Sequence, residues 1–116
     1  MQGVQFTATS TTAESQMLSN SMYVHSIPNN NDNQDIVSMG TNAAVITAKV
    51  IENSFEVLAI ELITIVQAID YLGYKNDISS VTKKIYDDIR IIIPAFKEDQ
   101  IMYPLVQKVK EYLINN

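Results

Sequence analysis

Apolar residues concentrate in one run near the middle of the chain, between Thr41 and Leu72. Val45, Ile46, Val50, Ile51, Phe55, Leu58, Ile60, Leu62, Ile63, Ile65, Val66 and Ile69 cover most of a helical wheel. Lys49, Glu52, Asn53, Glu56, Thr64, Gln67 and Asp70 fall on one narrow stripe between them. The pattern predicts one helix over about 41–72, roughly 45 Å long at about 1.5 Å per residue. A helix apolar over most of its circumference is buried on most sides. Charged and amide residues interrupt every apolar stretch before the roughly 18–20 residues that a membrane span needs. Glu61 lies on the flank of the apolar face, where a hydrogen-bonded or ion-paired structural carboxylate is expected. A chain of 116 residues cannot cover such a helix with its own remaining helices. The pattern therefore calls for further helices, from additional sequence or from other subunits.

Weaker patterns flank the long helix. Residues 4–18 form a candidate helix rich in small side chains, Thr7 to Ala13. Threonine is a poor helix former, but small residues let helices approach closely. No start signal precedes this helix, as expected of a piece of a longer protein. Gly73 is a plausible left-handed cap after the long helix, and Lys75-Asn76-Asp77 reads as a turn. Ser79 or Ser80 caps a helix over 80–92, with Val81, Ile85, Ile89 and Ile92 on one face, and Pro94 stops it. Pro104 suits the first turn of a last helix over 104–115. Leu105, Val106, Val109, Tyr112 and Leu113 make its inner face. The expected fold class is all-α, a helical bundle built on one long central helix.

Residues 19–39 read as a long irregular segment, a length often tied to function. Side-chain amides fill every position from Asn29 to Gln34 except Asp32. An amide both donates and accepts hydrogen bonds, so these residues can read a polar substrate without carrying charge. The plainer reading is a solvated loop that caps the next helix. His25 is the only histidine, and no cysteine exists to complete a metal site with it. Tyr23 could serve as a catalytic phenol, but nothing nearby would lower its pKa from about 10, and packing is the better assignment.

Composition narrows the classes. The chain is 47% hydrophobic, so it is not a disordered tail. A net charge of −5 argues against nucleic acid or anionic membrane as partners. With no cysteine there is neither a disulfide framework nor a thiolate nucleophile. The N-terminus lacks the pattern of a secretory signal, and a cytoplasmic setting is expected.

Three groups of residues carry a resemblance. Ser26-Ile27-Pro28, Asp32-Asn33-Gln34-Asp35 and Val37-Ser38-Met39-Gly40-Thr41 resemble the active-site loop of the histidine, phenylalanine and tyrosine ammonia-lyases. Gln5-Phe6-Thr7-Ala8 with Ala13-Glu14 resembles the helix before that loop. Glu52-Asn53 with Val57-Leu58-Ala59-Ile60-Glu61 resembles the long helix after it. The match runs from about Gly3 to Asp70 and more loosely to the end.

The resemblance implies an all-helical homotetramer whose long central helices pack together. Its reaction would be non-oxidative loss of ammonia from an aromatic amino acid, giving an aryl-acrylate. The electrophile would be a methylidene-imidazolone made from an Ala-Ser-Gly tripeptide, and a tyrosine would remove the β-proton. This chain contains no Ala-Ser-Gly. It is therefore expected to be the C-terminal portion of such a lyase, with no catalytic residue or cofactor of its own and no turnover alone. What it would bring to the site is Asn30, Asn33 and Gln34 as substrate-binding residues. Gln34 matches a position that is Glu in typical histidine ammonia-lyases and Gln in the phenylalanine and tyrosine enzymes. A neutral amide suits a phenyl or phenol better than an imidazole, so Gln34 favours tyrosine or phenylalanine. Without the resemblance, the residues also fit a stand-alone acidic helical oligomerisation module with no enzymatic activity.

Overall fold

Four helices organise the computed structural model, which describes residues 1–22, 27–28, 31, 33 and 37–116. They are α1 (Gln2–Met17), α2 (Gly40–Leu72), α3 (Ser80–Ile92) and α4 (Tyr103–Asn115), and a 3-10 turn at Tyr74–Asn76 follows α2. No strand occurs among the described residues. The helix expected over 4–18 begins two residues earlier, and the others start within one residue of the sequence reading. At 33 residues, α2 is about 50 Å long and sets the shape. The molecule measures 67 × 28 × 20 Å, with a radius of gyration of 20.0 Å. A compact chain of this length would have about 13 Å.

Local chemistry fixes the helix ends. Gly73 adopts φ 74° and its N–H bonds back to the Asp70 carbonyl at 3.2 Å, closing α2. A left-handed residue there is cheap only for glycine. Ser79 Oγ accepts from the Thr82 N–H at 3.1 Å and caps α3. At the far end Ile93 turns extended, as the residue before Pro94 must. Pro104 sits in the first turn of α4, where its missing N–H leaves no helical bond unmade. The N-cap of α2 is Met39, which makes no side-chain capping bond, so the capping role expected of the amide segment is not seen at that position.

The core lies where α2 meets the three shorter helices. Ala59, Ile60, Ile63 and Val66 come from α2, Tyr86 and Ile89 from α3, Val106 and Val109 from α4, and Val4 from α1, with Ile93 between α3 and α4. The inner face expected for α3 needs correction. Val81 is 72% exposed and Ile85 is also exposed, whereas Tyr86, Ile89 and Ile93 are buried. Helix α3 is rotated so that Tyr86 and Arg90 reach Asp70 of α2. Satisfying that carboxylate outweighs burying two aliphatic side chains.

The polar stripe of α2 shares its inward face with the core. Glu52 meets Lys110, Asn53 meets Glu14 and Ser15, Glu56 meets Thr11, and Gln67 meets the Phe96 carbonyl. The apolar face opposite is bare. Val45 is exposed on the inward side near the start of α2, and Ile51, Leu58, Ile65 and Leu72 are exposed on the outer side. The last four recur every seven residues, and half-buried Phe55, Leu62 and Ile69 run beside them. Spacing of seven with an inner offset of three is the seam of a left-handed helix pair. As expected, the chain leaves its long helix uncovered. The uncovered side is the apolar one.

Candidate functional site

The segment that carries the predicted site residues leaves α1 at Leu18 and re-enters helix at Gly40. Asn33 is exposed in a turn, and Asn31 just before it adopts φ 55°. Asparagine tolerates this left-handed conformation better than other non-glycine residues. Asn30 and Gln34, together with Tyr23 and His25, lie outside the described residues. Of the three substrate-binding candidates, Asn33 alone can be placed, with its amide open to solvent.

Both ends of the segment rest on α2. Helix α1 runs antiparallel to α2, because residues later in α1 meet residues earlier in α2. Thr11 Oγ1 donates to Glu56 Oε1 at 3.3 Å. Three residues further along α1 and three back along α2, Asn53 Nδ2 donates to Glu14 Oε2 at 2.7 Å and to Ser15 Oγ at 3.3 Å. Beyond this point Leu18, Ser19 and Met22 face Ile46, Thr47 and Val50 of α2 across a cavity of about 300 Å³. Apolar adhesion of α1 is slight. Val4 is its one buried residue, while Phe6 and Met17 are exposed.

Two charged clusters tie α2 to the C-terminal helices. Lys110 is 7% exposed, and its Nζ donates to Glu52 Oε1 at 3.0 Å. That hydrogen bond and charge, with Lys49 adding to them, hold the Glu52 carboxyl below its ordinary value of 4.5. Arg90 pairs with Asp70 and donates to the carbonyls of Ile93 and Val66, each at 3.1 Å. Tyr86 donates to the same Asp70. On α4, burial pushes the Tyr112 phenol above its ordinary value of 10.0, and its hydrogen bond to Asp88 at 3.0 Å adds to the shift.

Glu61 does not take the paired, buried role expected of it. It is exposed on the rim of an apolar groove between α1 and α2. Asn53 and Arg90 were not singled out as interacting residues from the sequence. Asn53 appears in the sequence reading as a member of the polar stripe and in the Glu52-Asn53 pair that carries the resemblance, with no partner assigned, and Arg90 does not appear in it. A polar stripe on an otherwise apolar helix was the available signal for the first. Nothing in the sequence marked the second. Among the described residues no cluster of His, Cys, Asp or Glu could hold a metal ion, and no helix is long and apolar enough to cross a membrane.

Comparison with known proteins places this geometry. A model of the aromatic amino acid lyase family matches residues 1–91. Histidine ammonia-lyase 1 of Fusobacterium nucleatum is 37% identical over 113 residues, covering 97% of this chain and 22% of the relative. The MIO-dependent tyrosine 2,3-aminomutase of Streptomyces globisporus is 32% identical over 111 residues, covering 96% of this chain and 20% of that enzyme. The crystal structure of the tyrosine aminomutase from that organism superposes with a TM-score of 0.93 at 32% identity, covering 97% of this chain and 21% of that one. The chain thus spans about a fifth of the relatives it matches. On the family match, the identities and the shared helical architecture, it belongs to the aromatic amino acid lyase family.

Proposed function

We propose that this chain is the C-terminal segment of an aromatic amino acid ammonia-lyase, supplying its oligomerisation helices and an amide-rich substrate loop. The observation that carries this reading is the bare outward face of α2, with Ile51, Leu58, Ile65 and Leu72 exposed at intervals of seven. Such a ridge suits a second long helix of the same kind, as in a homotetramer. The start of α2 at Gly40 directly follows the segment that carries the proposed substrate-binding residues Asn30, Asn33 and Gln34. A clean monomer by light scattering at micromolar concentration contradicts this arrangement.

With no Ala-Ser-Gly, the chain cannot form a methylidene-imidazolone itself. That group, supplied by the rest of the enzyme, is the electrophile that makes the amine a leaving group. The residues of this chain bind and orient. The exposed, neutral amide of Asn33 can donate and accept toward substrate or prosthetic group without adding charge. Gln34 presents a neutral amide to the substrate ring and so favours tyrosine or phenylalanine over histidine. The setting is cytoplasmic, and the isolated 116 residues do not turn over.

The test is absorbance of the conjugated acrylate, measured with the full-length lyase on histidine, tyrosine and phenylalanine separately. Product from tyrosine or phenylalanine supports the assignment of Gln34, and product from histidine alone overturns it. Gln34→Ala is expected to lower kcat/KM about a hundredfold, the scale of losing one active-site donor. Unchanged kinetics removes Gln34 from the site.

A further inference from the structure

We infer that Asn53, with Glu14 and Ser15, is a positioning clasp that sets where the amide segment leaves α1 and returns to α2. The inference rests on the proposed role of that segment and assigns it a control residue that does not itself touch substrate.

Asn53 is 3% exposed, on the face of α2 that also carries the core residues Ala59, Ile60, Ile63 and Val66. A buried amide in such a place costs stability unless it is paired. Both of its partners lie on α1, in the last turn before the segment begins. The Glu14 contact is short, at 2.7 Å, and carries charge on the acceptor. Ser15 is itself anchored, its Oγ donating to the Thr11 carbonyl at 3.1 Å. Apolar contacts cannot replace this control. Only Val4, at the far end of α1, is buried, and a slide past a small residue such as Ala8, which packs against the core, meets little steric resistance. Hydrogen bonds are directional, so the Asn53 pair fixes the register of α1 on α2 where apolar packing leaves it loose. A one-residue slip of α1 would move the exit of the segment by about 1.5 Å, enough to misplace a binding group.

The test uses Asn53→Leu, which keeps the volume and removes the donor, and the double variant Asn53→Asp with Glu14→Gln, which restores the pair with donor and acceptor exchanged. In the 116-residue chain, Asn53→Leu is expected to speed amide hydrogen exchange about tenfold at Ser19–Met22 and Val37–Thr41, leaving α3 and α4 unchanged. In the full-length lyase it should raise KM about tenfold, with a smaller fall in kcat. The exchanged pair should recover both readouts to within about threefold. If Asn53→Leu does not fold, Glu14→Gln decides the matter, since it keeps the packing and weakens the bond. Exchange rates and KM that follow wild type in a folded Asn53→Leu overturn the clasp. The substrate-loop reading fails separately, through unchanged kinetics in Gln34→Ala. In that case the exchange experiment still tests the clasp.

Discussion

Lys110 and Glu52 form a 3.0 Å hydrogen-bonded ion pair across 58 residues of sequence, joining the last helix to the first half of the long one. The lysine is buried and the carboxylate half open to water. The pair is therefore asymmetric. Glu52→Gln leaves a buried ammonium without its counter-charge, whereas Lys110→Met replaces the charge with apolar volume. Thermal denaturation should show the larger fall in Tm for Glu52→Gln. Because the Glu52 pKa lies below its unfolded value, its contribution is present above about pH 4.5 and is lost as pH falls through the lower folded value. Tm plotted against pH should drop more steeply in that acid window for wild type than for Lys110→Met. Parallel curves refute the assignment.

Arg90 does several tasks at once. It pairs with Asp70, accompanies the Tyr86 hydrogen bond to the same carboxylate, and donates to two backbone carbonyls. Arg90→Leu strands a mostly buried carboxylate and two carbonyls, and should cost about 3 kcal/mol in urea denaturation. Arg90→Lys should recover little, because a single ammonium cannot reproduce the planar fork. Full recovery by lysine would show that charge alone matters there.

Ile63 and Ile65 stand two residues apart on opposite faces of α2, 2% and 47% exposed. Ile63→Ala should lower the unfolding free energy of the chain by about 3 kcal/mol, through lost burial and a cavity. Ile65→Ala should change it by less than about 0.5 kcal/mol in dilute monomer. The same change should instead weaken self-association, read by light scattering across a concentration series. Association that survives Ile65→Ala and Leu58→Ala together sinks the proposed seam.

Gly73 tests a backbone effect cleanly. A Cβ there meets no atom within 4 Å, so the penalty for Gly73→Ala arises from its φ of 74° alone. The expected cost is about 1 kcal/mol, with Gly73→Asn costing less. Equal stability in all three proteins would mean that α2 ends differently in solution.

Much of this fold was legible because its signals are local. The long apolar period, Gly73, Ser79, Pro94 and Pro104 each mark a helix or its end without reference to distant residues. What the pattern could not reveal was which side of α2 faces inward. Periodicity separates polar from apolar, and the usual assumption buries the apolar side. Here Glu52, Asn53 and Asp70 turn inward because Lys110, Glu14 and Arg90 wait there, and those partners lie 58, 39 and 20 residues away respectively. The rotation of α3 has the same origin. Of the candidate site, Asn33 is placed and exposed, and Asn30 and Gln34 lie outside the described residues.

The bare ridge on α2 also sets a clock on biosynthesis. About 30 Å of aliphatic surface, from Ile51 to Leu72, stands exposed in the single chain, and a surface of that kind sticks to whatever it meets first. Every newly made chain therefore passes through a vulnerable interval whose length depends on how soon it encounters others.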